Sequence, residues 1–202
     1  SPEGHRAGLE AAAQAFDTTR IVGIYNATDD PRILTANRAD NIQRTAHDVL
    51  QGLADLQQGL GLGRPGDTNL AVDTLLTYLV LYDHEVTIVA HSQGAAITSA
   101  ALREFANRYP ERAERLRRIN VITLGGFAAA YPDDPRYLHV VFTSDPVPTF
   151  AESMCRAQRA EEDYQRYLQG RYVIEDGPSP DVYNILDLKC FVEEIYWPVE
   201  DW

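Results

Sequence analysis

The chain has 202 residues, and 45% of them are hydrophobic, so it is long and apolar enough for one domain with a full core and is not expected to be disordered. Its net charge of −12 argues against nucleic acids and anionic membrane surfaces as partners. No apolar stretch approaches the ~18 residues that suggest a membrane-spanning helix, and residues 1–6 do not resemble a signal peptide. The sequence therefore predicts a soluble globular protein.

Helices and strands are predicted to alternate along the first part of the chain, which is typical of a mainly parallel sheet. The elements expected, in order, are a helix at 3–16, a strand at 21–26, a loop at 29–37, an amphipathic helix at 40–60, a loop at 61–67 and a helix that runs to about residue 82. Asp67 or Thr68 is expected to cap the last of these helices.

The most informative pattern lies at residues 86–98. Residues 86–89 are apolar and β-branched, as in a buried parallel strand, and residues 95–105 suit a helix packed on that strand. Between them, residues 90–94 have the form A-x-S-x-G, close to the G-x-S-x-G nucleophile elbow that exposes a serine at the carboxyl edge of a sheet. The alternative interpretation is an ordinary strand-to-helix turn in which Ser92 only caps the helix.

The second part of the chain continues the alternation and then becomes less regular. The helix after Ser92 is expected to stop near Tyr109, because Pro110 follows. The remaining elements are strands at 119–124 and 138–143, a helix at 157–168, a loop at 177–180 and an apolar run of uncertain type at 183–196. We predict a core at residues 1–150 and, in the same domain, an extension at 151–202 that packs on or covers this core.

At the serine turn the chain resembles the α/β-hydrolase superfamily, in particular its bacterial lipase- and esterase-like members with an H-S-Q-G elbow. Residues 21–28, 119–126 and 138–148 extend the likeness as core strands, so that it covers about residues 1–150. The resemblance implies an α/β, three-layer fold with a mainly parallel sheet. It also implies a serine hydrolase that cleaves an ester or thioester, with a small-molecule or lipid-like ester as substrate.

The same resemblance assigns the site residues. Ser92 is the expected nucleophile, the backbone N–H of Gln93 the expected oxyanion donor, and Asp145, in the run D-P-V-P, the expected triad acid. The alternative for Asp145 is that it merely begins a turn before a proline; Asp181 and Asp187 are weaker candidates for the acid. No residue cluster has metal-ligand spacing and no glycine-rich phosphate loop follows a strand, so neither a metal nor a cofactor is expected.

Two features of the superfamily have no clear counterpart in this sequence, and the first is a strand of the sheet. The superfamily has a strand upstream of the first helix, beside the nucleophile strand, and its loop gives the second oxyanion N–H. Either this upstream strand is missing from the chain, which we favour, or residues 21–26 take its place and Asn26–Ala27 form the oxyanion loop.

The second such feature is the catalytic base, because in this superfamily the order is Ser, acid, His. None of the five histidines follows Asp145; they are His5, His47, His84, His91 and His139. His91 is expected to point away from the site and His139 to begin its strand far from the acid, while His5 is a weak candidate. A loop at 175–184 is where the base is expected, and it contains no histidine.

Three explanations of the missing base stay open. The base lies in residues absent from the chain, or it has been replaced by mutation, or the fold no longer hydrolyses and serves as a binding or assembly module. A flavodoxin-like binding protein is a further hypothesis. The sequence decides neither the oligomeric state nor the compartment.

Late aromatic residues and two cysteines complete the sequence-based expectations. The aromatic residues that could cover the site and form an acyl pocket, or simply pack on the sheet edge, are Phe150, Phe191, Tyr196, Trp197 and Trp202. Cys155 and Cys190 could form a disulfide, which would imply an exported protein, and two buried thiols are the alternative.

Overall fold

The computed structural model describes residues 2–24, 69–157 and 161–174. These residues belong to two compact units, of which the first contains residues 2–24 and the second contains the rest. In the first unit, helix α1 spans Pro2–Ala15, close to the predicted helix at 3–16. The predictions at 29–37, 40–60, 61–67, 177–180 and 183–196 lie outside the described residues.

The predicted strand at 21–26 is wrong over its first four residues. Residues 21–24 are described and are not in a strand. A strand exists only through the ladder of hydrogen bonds to a neighbour, and the described sheet contains no ladder that includes them. Tyr25 and Asn26 lie outside the described residues.

The second unit is built on a parallel sheet with helices between its strands. The four strands are all parallel and stand in the order β1-β2-β3-β4, which makes the unit a member of the α/β class. Its elements are α2 (Leu70–Leu81), β1 (Val86–His91), α3 (Gln93–Arg108), a 3₁₀ helix (Pro110–Arg118), β2 (Ile119–Leu124), β3 (Arg136–Phe142), α4 (Pro146–Ala157), α5 (Glu161–Gln169) and β4 (Arg171–Ile174). The predicted pairing of 86–90 with 119–124 is confirmed.

The helices of this unit begin and end at residues whose chemistry explains the boundaries. Asn69, and not Asp67 or Thr68, caps α2, because its side chain accepts the Ala71 N–H at 2.9 Å. Helix α3 ends at Arg108 with Tyr109 as its C-cap, as the following proline predicts.

The sheet buries one continuous central strand. Every residue of β2 is buried, which fits its apolar, β-branched sequence and its place between β1 and β3. Thr123 of β2 is aligned with Ala90 of β1 and with His139 of β3, so their side chains point to the same face. The buried cluster of small and aromatic residues in this unit comprises Ala95, Ala96, Ala128, Ala129, Ala130, Tyr131, Ala151, Cys155, Tyr164 and Tyr167.

Three elements of this unit were not predicted from the sequence, namely the 3₁₀ helix at Pro110–Arg118, α4 and β4. The run D-P-V-P resembles a turn, but Asp145 caps a helix whose first residue is Pro146, a favourable combination for starting one. Strand β4 is only four residues long, and its inner residues are exposed. Because β4 pairs with β3, residues after 150 supply the fourth strand of the sheet, and the predicted boundary at 150 lies inside α4.

A buried carboxylate fastens the last three elements to one another. Glu152 of α4 is 8% exposed, accepts a hydrogen bond from the Tyr167 hydroxyl of α5 at 3.1 Å and forms an ion pair with Arg171 of β4 at 3.2 Å. These two interactions connect α4 with α5 and with β4. They compensate for the few backbone hydrogen bonds that a strand of four residues can make.

Candidate active site

Ser92 lies between β1 and α3, at the carboxyl edge of the sheet. Its φ of 50° and ψ of −119° belong to a region that residues other than glycine rarely adopt, at a cost on the order of 1–3 kcal/mol. Its N–H donates to the carbonyl of Leu124 at 3.1 Å, and its own carbonyl accepts from Ala95 at 3.1 Å and from Phe127 at 2.9 Å. The backbone around Ser92 therefore holds the strained conformation through three hydrogen bonds.

The hydroxyl of Ser92 is not used to cap α3. Ser92 occupies the N-cap position, but its side chain makes no capping hydrogen bond, and the residue is half-buried. A helix-capping serine would accept the N–H of the second or third helical residue. The interpretation of Ser92 as a simple cap is therefore wrong, and the predicted strand–serine–helix arrangement with strained dihedrals is confirmed.

Small residues bring α3 close to the sheet, but the closest approach is not at the glycine of the serine turn. A Cβ placed on Gly94 would lie 3.7 Å from the Cβ of Ala90, an ordinary contact. A Cβ on Gly126 would lie 2.9 Å from the Cβ of Ala95 and 3.2 Å from Oγ1 of Thr123. Of these two glycines, the tighter position is therefore Gly126, which follows β2.

Gln93 is the first residue of α3 and is half-buried. The N–H groups of the first helical turn have no acceptor within the helix, and the positive end of the helix dipole lies there. A negative charge that develops beside Ser92 would meet this favourable field. The second predicted donor loop, Asn26–Ala27, lies outside the described residues.

Asp145 follows β3 and caps α4. Its Oδ1 accepts the N–H of Val147 at 2.9 Å, and the residue is only 3% exposed. Its negative charge also acts on His91, the last residue of β1. Partial desolvation lowers the pKa of His91 from its ordinary value, and the charge of Asp145 opposes that effect. Asp145 and His91 are thus within electrostatic reach of each other at the edge that carries Ser92.

His139 is enclosed in the core and lies inside β3, not at the start of the strand as predicted. Its Nδ1 is 2.9 Å from Oγ1 of Thr123, and its ring packs on those of Tyr131 at 4.6 Å and Tyr167 at 4.8 Å. Its Nε2 is buried without a hydrogen-bond partner, and burial lowers the pKa of His139 to about 3. His139 is therefore a neutral core residue that cannot serve as a base for Ser92.

The other histidines differ in whether they lie at the edge of the sheet that carries Ser92. His84 precedes β1, at the opposite edge of the sheet, where its Nε2 is 3.3 Å from the hydroxyl of Tyr78. The side chain of His5 and the whole of His47 lie outside what the structure describes. The same applies to Asp181, Asp187 and the loop at 175–184 in which the base is expected. Within the described residues, His91 is the histidine at the edge that carries Ser92.

A stacked pair of phenylalanines beside Ser92 is the feature that sequence reasoning found only in part. The rings of Phe127 and Phe150 are 5.7 Å apart with their planes at 3°, and Phe127 is the residue whose N–H bonds to Ser92. Phe150 was among the aromatics predicted to form a pocket, whereas Phe127 was not. No local sequence pattern points to Phe127, because its proximity to Ser92 depends on the register of β1 against β2. Phe191, Tyr196, Trp197 and Trp202 lie outside the described residues.

Cys155 is a buried thiol in the core cluster. Burial, with smaller contributions from the charges of Asp163 and Glu161, raises its pKa to about 11, so it is not a reactive thiolate. Cys190 lies outside the described residues, so the disulfide and the two buried thiols both stay predictions.

The described residues contain no group of three or more His, Cys, Asp or Glu side chains that could hold a metal ion. Over the same residues, no helix is long and apolar enough to cross a membrane. A comparison of the chain with known protein families, curated proteins and solved structures finds no match in any of the three.

Proposed function

We propose that the protein is a serine hydrolase of the α/β-hydrolase type that cleaves a carboxylic ester or thioester, with Ser92 as the nucleophile. The observation that carries this proposal is the backbone of Ser92, at φ 50° and ψ −119°, with a hydroxyl that does not cap α3. Strain of this kind clusters at functional sites, where it is part of the mechanism. The nucleophile elbow is such a turn, formed by a strand, a strained serine and a helix.

The order of the strands supports the assignment of the acid. In the α/β-hydrolase arrangement the nucleophile follows one strand and the acid follows a later strand of the same sheet. Here Ser92 follows β1, and Asp145 follows β3 with only β2 between the two strands. Because the strands are parallel, both residues lie at the carboxyl edge of the sheet.

The proposed reaction has two steps. Oγ of Ser92 attacks the carbonyl carbon while its proton passes to a base, and the N–H of Gln93 stabilises the oxyanion. The tetrahedral intermediate then expels the alcohol or thiol, which takes up the proton, and leaves an acyl group on Ser92. Water attacks this acyl group in the second step and releases the carboxylic acid and the free serine.

A second candidate function rests on the histidines. The last histidine of the sequence is His139, so no histidine follows Asp145. His139 itself is enclosed in the core. A chain without a base in the expected place could keep the hydrolase architecture and act as a binding or assembly module. The two functions differ in whether the hydroxyl of Ser92 is reactive.

Labelling with a fluorophosphonate decides between them. The Ser92 Oγ forms a bond to phosphorus, the P–F bond breaks, fluoride leaves, and the hydroxyl proton passes to base or solvent. We expect mass spectrometry to find one phosphonyl group on the peptide that contains Ser92, and none in the variant Ser92→Ala. Ser153, an exposed serine of α4, is the matched control because it has ordinary helical surroundings.

The result that overturns the proposal is equally plain. If folded protein is not labelled at Ser92, or is labelled to the same extent at Ser153, Ser92 is not an activated nucleophile. The binding-module interpretation is then the one to pursue.

A further inference from the structure

The feature that the proposed reaction does not use is the stacked pair Phe127–Phe150. Phe127 connects this pair to the nucleophile, because its backbone N–H donates to the carbonyl of Ser92 at 2.9 Å while its ring stacks on that of Phe150. Phe150 lies five residues after Asp145, within the first turns of α4. The pair therefore stands at the same sheet edge as the proposed nucleophile and acid.

The two rings differ in how much of their surface is covered. Phe127 is half-buried and packs on the core cluster, so its position is fixed from behind. Phe150 is 44% exposed, one of the few large apolar side chains among the described residues that face solvent to this extent. The ring of Phe127 thus supports the exposed ring of Phe150, and together they form a preformed apolar surface. Binding sites for small molecules typically have apolar walls with a few polar groups.

We propose that Phe127 and Phe150 form the acyl-binding wall of the site, so that the preferred substrates are esters of apolar acids. This inference rests on the proposed role of Ser92. The carbonyl carbon must meet Ser92, which places the acyl chain that leaves this carbon within reach of the rings beside the serine. Burial of each methylene against such a wall favours binding of longer chains.

Three p-nitrophenyl phosphonates test the wall by the rate at which they label Ser92. Two carry a methyl or an octyl group on phosphorus, which takes the place of the acyl chain, with a small methoxy group. The third carries methyl on phosphorus and an octyloxy group, which takes the place of the alcohol. In each reaction the Oγ–P bond forms and p-nitrophenolate leaves, so absorbance gives the rate.

We expect the unchanged protein to react at least about tenfold faster with the octyl than with the methyl phosphonate. Phe150→Ala should reduce this ratio to near one, while Phe150→Leu should retain most of it because the apolar surface is kept. Tyr172→Ala is the matched control, because Tyr172 is an aromatic residue of β4 that is 40% exposed. It should leave the ratio unchanged, and thermal midpoints should be similar for all three variants.

Each contrary result has its own meaning. Labelling of Ser92 by the methyl phosphonate with a ratio that Phe150→Ala does not change overturns the acyl wall and leaves the proposed function intact. Acceleration by the octyloxy group alone overturns the acyl assignment, because the chain then binds on the alcohol side. Failure of all three probes overturns the proposed function and this inference with it.

Discussion

The backbone N–H of Ser92 donates to the carbonyl of Leu124 at 3.1 Å, so the hydrogen bonding between β1 and β2 continues one residue beyond the end of β1. Ser92 is thus attached to the sheet while its φ of 50° turns the chain into α3. One hydrogen bond to the last residue of the neighbouring strand thus helps to hold the strained residue in place. Because these contacts involve only the backbone, a change of the Ser92 side chain can remove its chemistry and leave the turn stable.

The first prediction separates strain from capping at Ser92. Ser92→Gly should raise the free energy of unfolding by about 1 kcal/mol, because glycine adopts a positive φ without a Cβ clash. Ser92→Ala should change it by less than about 0.5 kcal/mol, since no capping bond is lost, whereas loss of a cap costs ~1 kcal/mol. Urea denaturation measures both values, and a clear loss of stability in Ser92→Ala would show that the hydroxyl does cap the helix.

The second prediction concerns two glycines in similar sequence surroundings. Gly126→Ala should lower the free energy of unfolding by about 1–3 kcal/mol, because its Cβ would lie 2.9 Å from that of Ala95. Gly94→Ala should be neutral or stabilising by up to ~1 kcal/mol, because the site has room and alanine favours a helix. Thermal or urea unfolding of the two variants makes the comparison; equal losses would contradict it.

The third prediction concerns the buried imidazole of His139 and the pH dependence of stability. Its pKa is about 3 in the folded protein against 6.5 for an ordinary histidine. Between these two values the unfolded chain binds more protons, so the free energy of unfolding falls as the pH decreases from 6.5 towards 3. The contribution approaches about 1.4 kcal/mol per pH unit.

A variant isolates this contribution from that of the carboxylates, which titrate in the same range. His139→Gln removes the titrating group and retains an amide that can bond to Thr123. Urea unfolding at several pH values between 4 and 7 should show a shallower slope for the variant than for the unchanged protein. Identical slopes would mean that folding does not lower the pKa of His139.

The fourth prediction separates the two roles of Asp145. Asp145→Asn keeps an oxygen for the Val147 N–H and should retain stability within about 0.5 kcal/mol, whereas Asp145→Ala should lose ~1 kcal/mol with the cap. Both should slow the labelling of Ser92, because both remove the negative charge. If labelling is lost only in the alanine variant, Asp145 is a helix cap and not the acid.

The fifth prediction concerns turnover. Because no histidine follows Asp145 in the sequence, we expect slow acylation of Ser92 by simple p-nitrophenyl esters and little steady release of product. A residual rate of roughly 10³–10⁴ over water can survive the loss of a triad member through the oxyanion hole and binding alone. Stopped-flow absorbance and mass spectrometry of the acyl-enzyme check this; rapid steady turnover would contradict it.

Sequence patterns located the sheet best where burial dictates composition. The apolar, β-branched run at 119–124 predicted β2, every residue of which is buried, because a buried parallel strand has little freedom in residue type. The run at 86–89 predicted the position of β1 and its pairing with β2, but not its burial, because Ala90 is the one buried residue of β1. The same reasoning failed for residues 21–24, where a similar run forms no strand. It also missed β4, whose four residues are partly exposed and depend on pairing with β3.

The site was predictable to the extent that it depends on neighbours in sequence. The turn at Ser92 is local, and its residue types reveal it. The proximity of Phe127 to Ser92 depends on the register of β1 against β2, and the stacking of Phe127 on Phe150 depends on the direction of α4. Neither is a sequence pattern. Asp145 was ambiguous because the same D-P run suits a turn, a helix start and an acid.

The small side chains beneath Ser92 have a consequence for redesign of the protein. Ala90, Ala95 and Gly126 fix the serine through backbone packing, so that little there can be enlarged without moving it. Phe150, by contrast, is exposed, and its described ring contact is the stacking on Phe127. Variation that broadens or narrows the range of ligands should therefore concentrate at Phe150, and libraries that spare the serine turn should retain folded members at the highest frequency.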